Sequence, residues 1–192
     1  MTMNYYQNHA QTFFDGTVDL DMSPLYADFM AHLPEQACVL DAGCGSGRDA
    51  LAFARKGYHV EAFDASAELV ALARHYSGLP VKEMTFDQLN ETQKYDGIWC
   101  CASLLHVPYN ELPAVINTLA RALKPGGVWY LSFKYGDSER ELAGRRFSDM
   151  TESRLTALLA PLPELTIHKM WITQDQRPDH DESWLNALVN KR

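Results

Sequence analysis

No stretch of the chain approaches the roughly 20 consecutive apolar residues of a membrane-spanning helix, and the opening MTMNYYQNHA has neither the basic nor the apolar segment of a secretory leader. These absences predict a cytoplasmic protein with no membrane partner. Positive charge is scarce too, with 17 Lys and Arg against 25 Asp and Glu and a net charge of −8. A polyanion would be repelled unless a basic face were segregated from the rest, so nucleic acid is not expected as a partner. Cysteine is limited to Cys38, Cys44, Cys100 and Cys101, and no C-x-x-C pair suggests a zinc site or a redox motif. All four lie in apolar or glycine-rich surroundings and read as buried thiols. Cys100 and Cys101 would point to opposite sides of a strand, which argues against a vicinal disulfide or a shared metal. Repeats and low-complexity segments are missing as well.

What remains is a chain of 192 residues, 46% of them hydrophobic. That is enough for one substantial core and too little for two comfortable domains. The expectation is a single domain over residues 1–192, working as a monomer or weak homodimer. Within it, residues 1–33 form an N-terminal helical or lid segment, 37–133 a ligand-binding core, and 134–192 a substrate rim and C-terminal hairpin.

Residues 37–42 are an apolar run ending in glycine, and apolar positions 50, 51, 53 and 54 then recur at helical spacing within 46–56. Gly57 stops that helix. The unit repeats with a strand at 58–63 and a helix over 65–76, followed by a short strand at 81–84 and a very apolar one at 97–101 that should be buried on both faces. A helix over 111–123 ends at Lys124-Pro125-Gly126-Gly127, and a strand follows at 128–133. This alternation predicts an α/β fold, a doubly wound and mostly parallel sheet with helices on both faces, binding its ligand above the carboxyl ends of the strands. The tail breaks the pattern. Strands at 165–173 and 184–189 leave no room for a helix between them, so the last strand should run antiparallel to its neighbour.

The segment VLDAGCGSGRD, residues 39–49, joins a strand to a helix through three alternating glycines. Dinucleotide binders and enzymes that use S-adenosylmethionine (SAM) share such a turn, so the turn alone does not choose between them. The spacing here is G-x-G-x-G rather than G-x-G-x-x-G, and Asp41 stands two residues before Gly43. A carboxylate there would repel the pyrophosphate of NAD but suits the sulfonium and ammonium of SAM. Asp64 ends the second strand, about 20 residues on, where an acid accepts hydrogen bonds from ribose hydroxyls. It could instead cap the next helix, although Ser66 is also placed for that.

Four segments in order, VLDAGCGSGR, FDAS, YDGIWCCAS and LKPGGVWYLS, resemble the motifs of class I SAM-dependent methyltransferases over roughly residues 39–133. More loosely, the whole chain resembles a small bacterial-type member of unassigned substrate. The resemblance implies a seven-stranded sheet with an antiparallel last strand, SAM as cofactor and S-adenosylhomocysteine (SAH) as product. It further implies that Asp41, Gly43, Gly45, Ser46 and Gly47 line the methionine part of SAM and that Asp64, with Ala65 and Ser66 beside it, holds the ribose. Cys101 and Ala102 would face the ligand from the end of the fourth strand. Where many members carry an adenine-binding Asp this chain has Thr85, with Asp87 two residues on, so adenine contacts are expected from the backbone of Thr85 and Phe86.

The loop after the fourth strand, CASLLHVP, holds one titratable group, His106. Such a histidine either takes a proton from the methyl acceptor or simply bonds to the backbone of its loop. The N/D-P-P-Y motif of enzymes that methylate nucleobase or glutamine amide nitrogens is missing here. After the fifth strand Lys134, Arg140, Arg145 and Arg146 gather at the rim. They either read an anionic substrate or are neutralised by Asp137, Glu139 and Glu141 in a solvated loop. Tyr5, Tyr6, Phe13 and Phe14 near the N-terminus belong either to a lid that closes on ligand or to ordinary packing. The expected site therefore comprises the SAM residues above, His106 as candidate catalytic group, Tyr5, Tyr6, Lys134, Arg145 and Arg146 toward a small, possibly anionic acceptor, and no metal. An NAD-dependent oxidoreductase and a non-catalytic SAM-binding sensor or partner protein are the alternatives.

Overall fold

The computed structural model describes residues 2–178 and 180–192. Two helices come first, α1 (Thr2–Thr17), bent at His9, and α2 (Ser23–Met30), with Pro24 in its first turn. Then follow β1 (Cys38–Ala42), α3 (Arg48–Arg55), β2 (His59–Asp64), α4 (Ala67–Ser77), β3 (Lys82–Glu83), β4 (Tyr95–Cys100), α5 (Leu112–Ala122) and β5 (Leu123–Lys134). Ser66 caps α4 by accepting from the Leu69 amide at 3.3 Å, and Gly78, at φ +70°, ends it. The last part holds β6 (Glu139–Leu142), β7 (Arg145–Ser148), α6 (Glu152–Leu159), β8 (Leu165–Gln174) and β9 (Ser183–Lys191).

Seven strands form one sheet in the order β3-β2-β1-β4-β5-β9-β8. The first five are parallel, and β9 runs antiparallel to both β5 and β8. This is the fold of the class I methyltransferases. Successive residues of β4 and β5 serve opposite faces, as a pleated strand requires. Ile98, Trp129 and Leu131 pack with α5 and α6, while Trp99 and Tyr130 pack with Phe29 of α2 and Phe53 of α3. The Trp99 and Tyr130 rings stack 3.9 Å apart. Where α2 crosses β4 the sheet needs a glycine, because a Cβ on Gly97 would meet Phe29 and Leu33 at 2.7 Å.

Three elements depart from expectation. The basic rim is a two-stranded hairpin, β6 with β7, turned by Ala143 and Gly144 at φ +51° and +76°. An α-helix, α6, begins where Thr151 accepts from the Arg154 amide at 3.3 Å. β5 starts at Leu123, ahead of the Pro-Gly-Gly turn, because Leu123 already pairs with Tyr95 before the register shifts.

Candidate functional site

A cavity of about 500 Å³ opens above the carboxyl ends of β1, β2 and β4, at the point where the strand order reverses. Its floor is the glycine loop, whose three glycines do different work. A Cβ on Gly43 would come 2.5 Å from that of Ser103, so the first glycine admits the loop after β4. Gly47 stands at φ +78° before α3, where a Cβ would lie 3.0 Å from Ala73 of α4, and it does not line the cavity. Gly43 and Gly45 both line the cavity, and Gly45, at φ +54°, lies under the Phe13 ring of α1, which a Cβ there would meet at 3.1 Å.

The acids divide in the same way. Asp41 was expected on the wall, but it is only 1% exposed and lies behind the loop, with one carboxylate oxygen buried and unpartnered. Burial pushes its carboxyl well above the usual range, and the nearby Asp49 adds to the effect. Asp49 itself lines the cavity, and its place was not anticipated. Against the cost of burial, Arg48 at 2.7 Å, the Tyr26 hydroxyl and the Trp99 indole at 2.8 Å keep it ionised. One signal was available: Asp49 sits four residues before Phe53, on the buried stripe of α3.

Asp64 reaches the cavity at the end of β2. One of its oxygens accepts from the Gly45 amide at 2.9 Å and the other from the Ser66 amide at 3.0 Å, so it ties the glycine loop to the start of α4. Burial raises its pKa, opposed by those amides. Ser46, Ala65, Ser66, Thr85, Phe86, Cys101 and Ala102 all line the cavity as expected, together with Leu69 and Met84. Ala102 holds φ +51°, a costly conformation outside glycine, kept by an amide hydrogen bond to Ser132 Oγ at 2.9 Å. Burial pushes the Cys101 thiol up to about 12.

α1 forms the roof. Thr2, Met3, Tyr6, Phe13 and Thr17 face the cavity, and the helix is fastened along its length. Arg48 donates to the Thr17 carbonyl at 3.0 Å, the Arg146 amide to Thr2 Oγ1 at 3.0 Å, and Tyr6 pairs with His106 Nε2 at 2.7 Å. The other nitrogen of His106, Nδ1, donates to the Arg146 carbonyl at 2.8 Å, leaving Nε2 to accept the Tyr6 proton. Burial, reinforced by the charges of Arg145 and Lys134, lowers His106 to about 4 against that backbone bond. The imidazole is therefore neutral at pH 7 and its lone pair is engaged.

The rim cations also separate. Lys134 pairs with Glu182 at 2.5 Å, Arg140 with Asp149 at 2.7 Å and Arg146 with Glu139 at 3.5 Å. Arg146 and Tyr5, both expected at the substrate, do not line the cavity, whereas Tyr6, Lys134 and Arg145 do. Sequence reasoning also missed Arg177 and Asp175, a wall pair 2.6 Å apart whose fork, against burial, brings the carboxyl down to about 2. Asp175, His180 and Glu182 cluster within ligand distance of one another, but Arg177, Lys134 and Arg140 already neutralise the two acids. Among the described residues no helix is long and apolar enough to cross a membrane.

The fold, with a glycine-floored cavity at its topological switch point, is one shared with Rossmann-like methyltransferases. A family profile described as a methyltransferase domain matches residues 39–127. The ubiquinone biosynthesis O-methyltransferase of Xylella fastidiosa is 37% identical over 120 residues, covering 58% of this chain and 48% of that protein. The chain thus spans about half the length of the curated relatives it matches. Among solved structures, the Burkholderia thailandensis 1,6-didemethyltoxoflavin-N1-methyltransferase with bound 1,6-didemethyltoxoflavin and SAH superposes with a TM-score of 0.79 at 25% identity, covering 98% of this chain and 84% of that one. The magnesium protoporphyrin IX methyltransferase of Synechocystis PCC 6803 with bound SAM gives 0.65 at 26% identity, covering 95% and 80%. The profile, the curated relatives and these solved structures that the chain resembles are all methyltransferases.

Proposed function

We propose that the protein transfers a methyl group from SAM to a small-molecule acceptor, with both held in the cavity under α1. The observation that carries this reading is the coupling of Gly45 to Asp64, which sets a bare backbone surface beside a buried acid. The cavity fits SAM on chemical grounds. Asp49 and Asp64 line the cavity beside the loop, an acidic wall that welcomes a cationic ligand and repels a pyrophosphate. This opposes the dinucleotide alternative.

SAM supplies an activated methyl group on a positively charged sulfur, open to in-line displacement. The protein's part is to align and to keep water out. Asp64 has lone pairs left for ribose hydroxyls, Phe86 and Met84 flank the adenine side, and α1 covers the floor through Phe13. His106 is a positioning residue in this scheme. Its lone pair holds Tyr6, its carbonyl partner belongs to β7, and so it pins the roof to the rim rather than collecting a proton.

Residues 1–33 serve as the lid in this reading, since α1 roofs the cavity. Four free cysteines suit the reducing cytoplasm. The test is incubation with methyl-labelled SAM and a fractionated small-molecule extract. Label should move to a low-molecular-weight product with release of SAH. SAM binding without transfer to any fraction would favour the sensor reading.

A further inference from the structure

We propose that Arg145 reads a single carboxylate on the methyl acceptor, so that the substrate class is a small monocarboxylic acid with an apolar, flat body. The proposal rests on the reading that the acceptor shares the cavity with SAM. Arg145 lines the cavity, yet among the described residues it has no ion-pair partner, and its Nε is buried without a hydrogen bond. Its guanidinium carbon lies 4.5 Å from the centre of the Tyr5 ring and 5.2 Å from that of Phe147. Aromatic contacts of this kind hold a guanidinium without neutralising it, so its charge is left for an anion that its fork can grip.

Charge bookkeeping around the cavity chooses the anion. The other cations on its wall are compensated: Arg48 by Asp49 at 2.7 Å, Lys134 by Glu182 at 2.5 Å and Arg177 by Asp175 at 2.6 Å. Among the described residues Arg145 is the one lining arginine or lysine without a carboxylate partner. A carboxylate balances it, whereas a phosphate dianion would bring a second, uncompensated charge into a partly desolvated site. Phe147 and Trp184 beside it offer apolar surface for the rest of such a molecule.

The test uses benzoate, benzamide and phenyl phosphate as probes, titrated into the full-length protein with and without saturating SAH and followed by saturation-transfer NMR. Benzoate should bind at least 10-fold more tightly than either analogue. Arg145→Gln should weaken benzoate at least 10-fold, Arg145→Lys should restore part of the loss, and Arg55→Gln, which removes an exposed charge on α3, should change nothing. SAH affinity, measured by calorimetry on each variant, should stay constant and reports that each is folded. Equal binding of benzoate and benzamide, preference for phenyl phosphate, or an Arg145→Gln protein that binds benzoate normally would each overturn the proposal. So would a loss of SAH affinity in Arg145→Gln, since the arginine would then read the cofactor. Failure of the wild type to bind SAH strikes the methyltransferase reading instead, and the titration without SAH still tests the arginine.

Discussion

Asp64 has two duties, holding the backbone of its own loop and facing the ligand, and they can be separated by measurement. Asp64→Ala removes charge-assisted contacts worth about 1.5–3 kcal/mol, which should weaken SAM about 10-fold or more in calorimetry. An unchanged affinity with a lower Tm would make the residue a purely structural tie between Gly45 and Ser66. The Tyr6–His106 bond admits a sharper test. If both residues act through one latch, Tyr6→Phe and His106→Ala should be non-additive in their effect on kcat/KM, with a coupling of about 0.5–3 kcal/mol. Fully additive losses would dismiss the latch. His106 also predicts a pH dependence with a definite sign. Its folded pKa of about 4 lies below the unfolded value of about 6.5, so the unfolded chain binds more protons between them. Its contribution is complete above about pH 6.5 and is lost as pH falls toward 4. The Tm gap between wild type and His106→Ala should therefore narrow across that window; a gap that widens on acidification would contradict the assignment. Asp64 and the glycines were legible in the sequence because a strand, a turn and a second strand fix where they fall. Asp41 was legible only as an acid near the loop. Whether it faces the cavity or the core depends on how β1 sits against β4 and α3, which no local pattern states.

At the scale of elements, the regular alternation from β1 to β5 could be read because β1 and β4 are buried along almost their whole length and α5 carries one apolar stripe. The β6–β7 hairpin could not. Its strands ERELAGRRFS carry charge at most positions, so period-two alternation is hidden, and its turn uses Ala-Gly where Asn-Gly or Asp-Gly would have announced it. Gly97 tests the packing between α2 and β4. Gly97→Ala should overpack the contact with Phe29 and Leu33, costing about 1–3 kcal/mol in denaturant unfolding, while SAM affinity is retained. No loss of stability would mean that α2 can retreat from the sheet. α1 makes a different prediction. Phe13 roofs Gly45, so Phe13→Ala should speed SAH release in stopped-flow displacement with little change in Tm. An unaltered release rate would reduce α1 to packing.

On the scale of the whole molecule, an acidic chain sets Asp41, Asp49 and Asp64 about one loop and pairs the arginines and lysines that line its cavity, with Arg145 as the exception among the described residues. The long-range part of this order, which pairs Arg48 with the end of α1 and His106 with β7, joins residues far apart in sequence and could not be foreseen from spacing. The topology could be, since alternating strands and helices followed by a tail with no helix permit few other arrangements. What the topology and the acids together assert is a site built for a cation-bearing adenosine ligand rather than a dinucleotide. Isothermal titration of the purified protein with SAM and, separately, with NAD tests this most directly. We predict saturable heat with SAM, in the micromolar range of Kd, corresponding to about −8 kcal/mol at 1 μM, and none with NAD. Saturable heat from NAD alone would contradict it.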